Sequence, residues 1–245
     1  MRRWSCALLV LLVAAPAAGC ESTQTKSAKL EANSKGSLDE GNALVIKKEN
    51  SDVKVLSTST LKDRNGEAVV VHLRNVGKRP LANLPISVKL ADRSGKAVYT
   101  NTQPGLEIAL AHVAFLQPGQ ELFWVNDQVV STGRPAQAKT MVGDSKPIDG
   151  TYPKLDIKGA HLRNDPVSGI SVAGRVVNHS QILQRRLPVF CVARKGDTIV
   201  AAGRAILEKV KPGKSAPFTV FFIGNPRGAR LTVTPLPSTL KGTPS

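Results

Sequence analysis

The chain has 245 residues and a formal net charge of +16, with 41% hydrophobic but only 4% aromatic residues. That hydrophobic share is ordinary for a globular protein and excludes a chain too polar to bury a core, although the core must rest on Val, Leu, Ile and Ala. The length suits two small domains of ~100–150 residues better than one, and the basic excess favours anionic partners over cationic ones.

The first element is a leader. Arg2 and Arg3 supply a positive start, and Cys6 to Ala18 is an apolar stretch of 13 residues without a charge. Spanning a bilayer takes ~20 residues, so residues 1–19 read as a signal peptide and not as a transmembrane helix. Ala17-Ala18-Gly19-Cys20 resembles the lipobox of bacterial lipoproteins, with small residues at Ala18 and Gly19, although Ala17 stands where Leu is commonest. The resemblance implies that the Cys20 thiol receives a diacylglyceryl group and that a peptidase cuts just before it. The protein is then exported and lipid-anchored in the cell envelope, on the outer side of the cytoplasmic membrane or in the outer membrane.

Residues 20–51 follow as a tether. Glu21 to Ser51 holds five Lys and five acids and few large apolar side chains before Leu44, a composition that favours a solvated segment. Leu44-Val45-Ile46 could already open a first strand.

A first domain is expected over 52–145. Strands are predicted at Val53–Ser57, Ala68–Arg74, Ile86–Leu90, Ala97–Thr100, Ala109–Phe115, Glu121–Val125 and Ala138–Val142, separated by turn signals such as Arg64-Asn65-Gly66 and Pro118-Gly119. A linker is expected over 146–151, where Lys146-Pro147-Ile148-Asp149-Gly150 stands. A second domain over 152–237 repeats the plan, with strands at Leu155–Leu162, Ile170–Asn178, Leu187–Arg194, Thr198–Ala205, Phe218–Ile223 and Arg230–Thr234, and residues 238–245 form a tail.

The two halves look like copies. Val71-His72-Leu73-Arg74-Asn75 aligns with Gly174-Arg175-Val176-Val177-Asn178, and Leu84-Pro85-Ile86 with Leu187-Pro188-Val189, both 103 positions apart. Leu116-Gln117-Pro118-Gly119-Gln120 matches Val210-Lys211-Pro212-Gly213-Lys214. Short strands and Pro-Gly turns recurring in order predict an all-β chain of two tandem immunoglobulin-like β-sandwiches. The order of strands and turns resembles the FxLYD family of bacterial envelope proteins and related CARDB-type modules. The naming motif falls at Val88-Lys89-Leu90-Ala91-Asp92, which keeps Leu90 and Asp92, and at Phe190-Cys191-Val192-Ala193-Arg194, which keeps Phe190. The resemblance implies a non-catalytic envelope module.

No catalytic constellation stands out. His72, His112, His161 and His179 are dispersed, Met141 is the only Met after the leader, and phosphate-loop and nucleophile-elbow motifs are missing. The sequence therefore predicts no metal, no cofactor and no enzyme activity. With Cys20 lipidated, Cys191 lacks a partner, so no disulfide is expected and Cys191 reads as a small buried hydrophobe. Two candidate binding regions remain. The first is Trp124 with Asn126 and Asp127, which would stack on sugar rings if exposed and fill a core or seam if buried. The second is the basic set of the second domain, Arg185, Arg186, Lys211 and Lys214 with Arg194, Lys195, Lys209, Arg227 and Arg230. Residues 148–245 carry 15 basic and five acidic side chains, which places most of the excess there. The function expected is a binding or adaptor module for another envelope protein or an anionic polymer, with a carbohydrate- or peptidoglycan-binding module through Trp124 as the alternative and an accessory enzyme as a third. Nucleic acid is not expected, because no reading motif accompanies the charge.

Overall fold

The computed structural model describes residues 43–145, 148, 152–165 and 169–240, and these are all-β, with antiparallel strands and no α-helix. The predicted leader, Cys20, the tether up to 42, most of the 146–151 linker and the tail from 241 lie outside the described residues.

The first half contains β1 (Val53–Asp63), β2 (Gly66–Asn75), β3 (Leu81–Ala91), β4 (Ala97–Thr100), β5 (His112–Leu116), β6 (Glu121–Asn126) and β7 (Gln137–Val142). One sheet runs β1-β2-β6, and the other is built around β3, which pairs with β4, β5 and β7. The second half contains β8 (Leu155–Asp165), β9 (Gly169–Asn178), β10 (Gln184–Lys195), β11 (Thr198–Val210), β12 (Ser215–Phe221), β13 (Ile223–Gly224) and β14 (Arg230–Pro235). Its sheets run β12-β9-β8 and β13-β11-β10-β14. Alternation drives both halves: on β10, Leu187, Val189, Cys191 and Ala193 enter one core, while Phe190 and Val192 point the other way and join the core of the first half.

Several boundaries differ from the sequence reading. The sequence places the end of the tether at residue 51, but the chain meets the body earlier: the Leu44 amide donates to the Thr102 carbonyl at 3.0 Å, Glu49 bridges Gly143, and Asn50 is buried. The strand expected over Ala109–Phe115 is a 3-10 turn at Ile108–Leu110 followed by β5. Its carbonyls are drawn inward, since Ala109 accepts from Trp124 Nε1 at 2.9 Å and Leu110 from Asn101 Nδ2 at 2.7 Å. The strand expected over Phe218–Ile223 is two strands on different sheets, β12 on β9 and β13 on β11. Where the chain crosses, Phe221 lies so close over Gly203 that a Cβ there would collide with the Phe221 carbonyl oxygen. The tail does not begin at 238: Ser238 and Thr239 amides donate to Gln184 Oε1, and Leu240 packs on the first core.

The duplication is written in the backbone. Asn75 and Asn178 are both fully buried at the ends of β2 and β9. Asn75 Nδ2 donates to the carbonyls of Arg79 (2.9 Å) and Leu116 (3.1 Å), and its Oδ1 accepts from the Gly77 amide. Asn178 Nδ2 donates to Ile182 (2.8 Å) and Val210 (3.1 Å), and its Oδ1 accepts from the Ser180 amide. Asn75, Gly77 and Arg79 each lie 103 positions from their counterparts Asn178, Ser180 and Ile182, and Leu116 lies 94 from Val210. Asn83 and Arg186, the only non-glycine residues with positive φ among those described (51° and 47°), also stand 103 apart. One amide thus closes a corner by satisfying two carbonyls and an amide that no ladder reaches. Replacing Asn178 with Ala is expected to cost about 1–3 kcal/mol, because the buried Val210 carbonyl loses this side-chain donor, while the Ile182 carbonyl keeps Ser180 Oγ and Gln184 Nε2. Chemical denaturation with unchanged m-value would register it, and a loss below about 1 kcal/mol would overturn the corner's role.

Candidate interaction surfaces and the seam between the halves

Sheet β1-β2-β6 has two buried faces. Val69, Val71, Leu73, Leu122 and Trp124 face the β3 sheet, while Val70, His72, Phe123 and Val125, opposite one another in the register, face the second half. Across the seam stand Phe190, Val192 and Ala202, which belong to the same apolar cluster as the first half's core. The His72 ring stacks on Phe123 at 4.1 Å, and the Arg194 guanidinium lies 5.0 Å from the same ring. The described residues of both halves accordingly belong to one compact unit.

A buried charge cluster fixes the register of this seam. Arg204, opposite Phe190 on β11, has a side chain only 4% exposed. Its Nη1 bonds Glu107 Oε2, its Nε donates to Asp127 Oδ1 at 3.3 Å, and its own amide donates to Asp127 Oδ2 at 3.0 Å. Arg186 adds a contact to Glu107 at 3.7 Å and to Glu208 at 3.5 Å. Burial by itself lowers the Arg204 pKa, but the charges of Asp127 and Glu107 outweigh it and hold the group above its ordinary value, so it remains a cation. On the seam's far side the Gly224 amide donates to Asp63 Oδ2 at 2.9 Å. Sequence reading passed over Arg204 and Glu107. The available signal was a lone charge inside the apolar run Ala201-Ala202-Gly203-Arg204-Ala205-Ile206, since such a charge needs a buried partner.

These positions decide the first candidate region. Trp124 is fully buried, Asn126 is 1% exposed with its Nδ2 donating to Tyr99 Oη at 2.7 Å, and Asp127 is held by Arg204. The reading of Trp124, Asn126 and Asp127 as an exposed sugar-binding cluster is therefore corrected, because a 4% aromatic chain spends its large rings on the interior. The buried alternative describes Trp124.

The second candidate region divides. Arg185 lies opposite Lys209 where β10 begins and β11 ends, and Lys211 and Lys214 occupy the adjoining turn. The turn is type II, with Pro212 and Gly213 (φ +63°) at its centre and the Lys214 amide donating to the Lys211 carbonyl at 3.1 Å. Arg194, Lys195, Arg227 and Arg230 gather at the other end, with Arg194 opposite Arg230. Arg194 stands nine positions along the strand from Arg185, or about 30 Å at ~3.3 Å per residue. The basic residues thus form two clusters at opposite ends. Arg186 belongs to neither, being drawn to Glu107 and Glu208.

Cys191 is fully buried on the core face of β10, and burial pushes its pKa to about 12. Burial lowers the pKa of His112, against a hydrogen bond with Ile108. Among the described residues no three His, Cys, Asp or Glu side chains come together as a metal site, and no helix is long and apolar enough to cross a membrane. In comparisons with known proteins, no family model matches the chain and no curated protein matches it.

Arg204→Ala would leave the buried Glu107 with only its longer 3.7 Å contact to Arg186 and would leave the half-buried Asp127 without its cation, an expected loss of about 2–4 kcal/mol. The triple variant Arg204→Met, Glu107→Gln, Asp127→Asn should recover most of it, because the desolvation cost disappears with the charges. Equal stabilities for wild type and Arg204→Ala would show that the cluster does not hold the seam. For Cys191, a thiol reagent at pH 8 should label the chain only in denaturant, since the protonated buried sulfur is neither nucleophilic nor accessible. Labelling of the native protein at the rate of a free thiol would contradict this.

Proposed function

We propose that the chain is a lipid-anchored, non-enzymatic protein of the bacterial cell envelope, a binding or adaptor module for another envelope protein or an anionic polymer. The observation that carries the placement is Cys20 after small residues at the end of a short apolar leader. Two or more acyl chains on that sulfur anchor a protein stably, at about 0.8 kcal/mol per buried CH₂. The stacked sheets suit the immunoglobulin-like envelope modules that the sequence resembles.

The engaging surface is the second half. Its exposed cations stand in two clusters at opposite ends of the β10–β11 ladder, Arg185, Lys209, Lys211 and Lys214 at one and Lys195, Arg227 and Arg230 at the other, each a source of screened attraction for an anionic partner. A body whose halves share one core presents both clusters at a fixed spacing, which suits a protein that bridges components better than one that encloses a small molecule.

Intact mass of the purified mature protein tests the anchor: the expected chain begins at Cys20 with added acyl mass, and Cys20→Ser leaves the membrane fraction. A mature chain starting elsewhere, or without acyl mass, overturns the placement. Capture of envelope fragments by the anchored protein is expected to weaken steeply with added salt. Capture indifferent to salt would remove the charge-based reading.

A further inference from the structure

The paired corners offer an internal control on what the fold requires. At the second corner, Lys154, Arg185, Lys209, Lys211 and Lys214 are all exposed, and none forms an ion pair with a described residue. The two acids close by are already engaged, Asp156 with His179 at 3.0 Å and Glu208 with Arg186 at 3.5 Å. At the first corner the backbone bonds are the same. The Val76 amide donates to the Asp52 carbonyl as the His179 amide does to Lys154, and the Gln120 amide closes on Gln117 as Lys214 does on Lys211. The side chains there are Asp52, Ala82, Phe115, Gln117 and Gln120. The first corner does carry Lys78 and Arg79, but on its loop, where the second has Gln181 and Ile182. The turn and strand ends therefore close equally well without positive charge at these positions, and the five cations of the second corner answer to something other than folding.

We infer that this corner, around the Lys211–Lys214 turn, is a docking surface for the anionic head groups of the membrane that holds the anchor. The inference rests on the lipid-anchor reading above. The chemistry favours a charged surface over a discrete ligand. The cations project from a turn and the ends of three strands, β8, β10 and β11, and a type II turn keeps the Lys211 and Lys214 Cα atoms within about 7 Å of each other. Five cations grouped in this way match a plane of phosphates, and an anchor on the same chain keeps that plane at high local concentration. The Asn178 clamp presets the surface, because it ties the Ile182 and Val210 carbonyls to one side chain and thereby fixes Arg185 and Lys209 beside the turn.

The test places the full chain, through its own anchor, in vesicles of phosphatidylcholine with or without phosphatidylglycerol. A water-soluble acylating reagent then reports lysine accessibility by mass spectrometry. Lys154, Lys209, Lys211 and Lys214 are expected to be protected severalfold in the anionic vesicles and to regain reactivity in high salt. Lys89 and Lys139, paired on the β3–β7 ladder of the first half, should not change. The double variant Lys211→Gln, Lys214→Gln takes the residues that the first half uses at the same turn, so its fold is expected to persist. At about 1 kcal/mol per charge it should dock about thirty-fold more weakly, and Lys154 and Lys209 should lose their protection.

Flotation with phosphatidylcholine vesicles reads the anchor separately. A chain that floats with both vesicles but shows equal lysine reactivity overturns the docking surface and leaves the anchor standing. A chain that fails to float on phosphatidylcholine, yet is protected by phosphatidylglycerol, overturns the anchor and supports the surface. Protection by added inorganic polyphosphate, with none from anionic vesicles, overturns the membrane as occupant.

Discussion

The arrangement of the whole body depends on one contact between sheets, in which Val70, Phe123 and Val125 meet Phe190, Val192 and Ala202. Apolar packing supplies the attraction but little direction, since flat β-sheets can slide over one another. The Arg204 cation between Glu107 and Asp127 supplies the direction, because a buried charge is tolerated only where its partners wait for it. The 3-10 turn that carries Ala109 is positioned from within the first half by Trp124 and Asn101, so the core of that half determines where Glu107 stands.

The seam also explains why the copies diverged where they did. The residues of the second half that correspond to Val70, His72, Phe123 and Val125 are Ala173, Arg175, Pro217 and Thr219. The residues of the first half that correspond to Phe190 and Val192 are Ser87 and Lys89. Each face is apolar where it meets the other half, and its counterpart in the other copy is small or polar. Repeat arrays follow the same rule, requiring polar outer faces on terminal units to stay soluble. Pro217 adds a second guard, because it stands on β12 at the edge of its sheet and has no amide proton to offer another strand.

Charge follows a different logic from burial. The corner at Asn178 and the corner at Asn75 use one hydrogen-bonding scheme, yet only the second carries lysines on its turn. Surface charge that the fold can do without is free to be shaped by partners, so comparing the two corners locates it more sharply than the total of +16 does. The left-handed residue of each corner shows the same freedom. Asn83 is a residue type that tolerates that conformation, whereas Arg186 adopts it at some backbone cost while reaching Glu107 and Glu208.

The sequence by itself determined the all-β class, the placing of most strands and the internal duplication, because alternation, Pro-Gly turns and a recurring Asn are local signals that survive in one dimension. It also marked Cys191 as a buried hydrophobe, from an apolar neighbourhood that needs no partner to read. Only the tertiary structure decided that Trp124 and Asn126 are interior and that Asp127 belongs to Arg204, because a strand pattern shows that two faces exist without showing what covers the second. It likewise separated the basic residues into two ends, since distance along a strand becomes distance in space only once the ladder of β10 and β11 is laid down. Burial of both faces of one strand is a property of its neighbours, and those neighbours lie far away in the chain, as Glu107 does, 97 residues from Arg204.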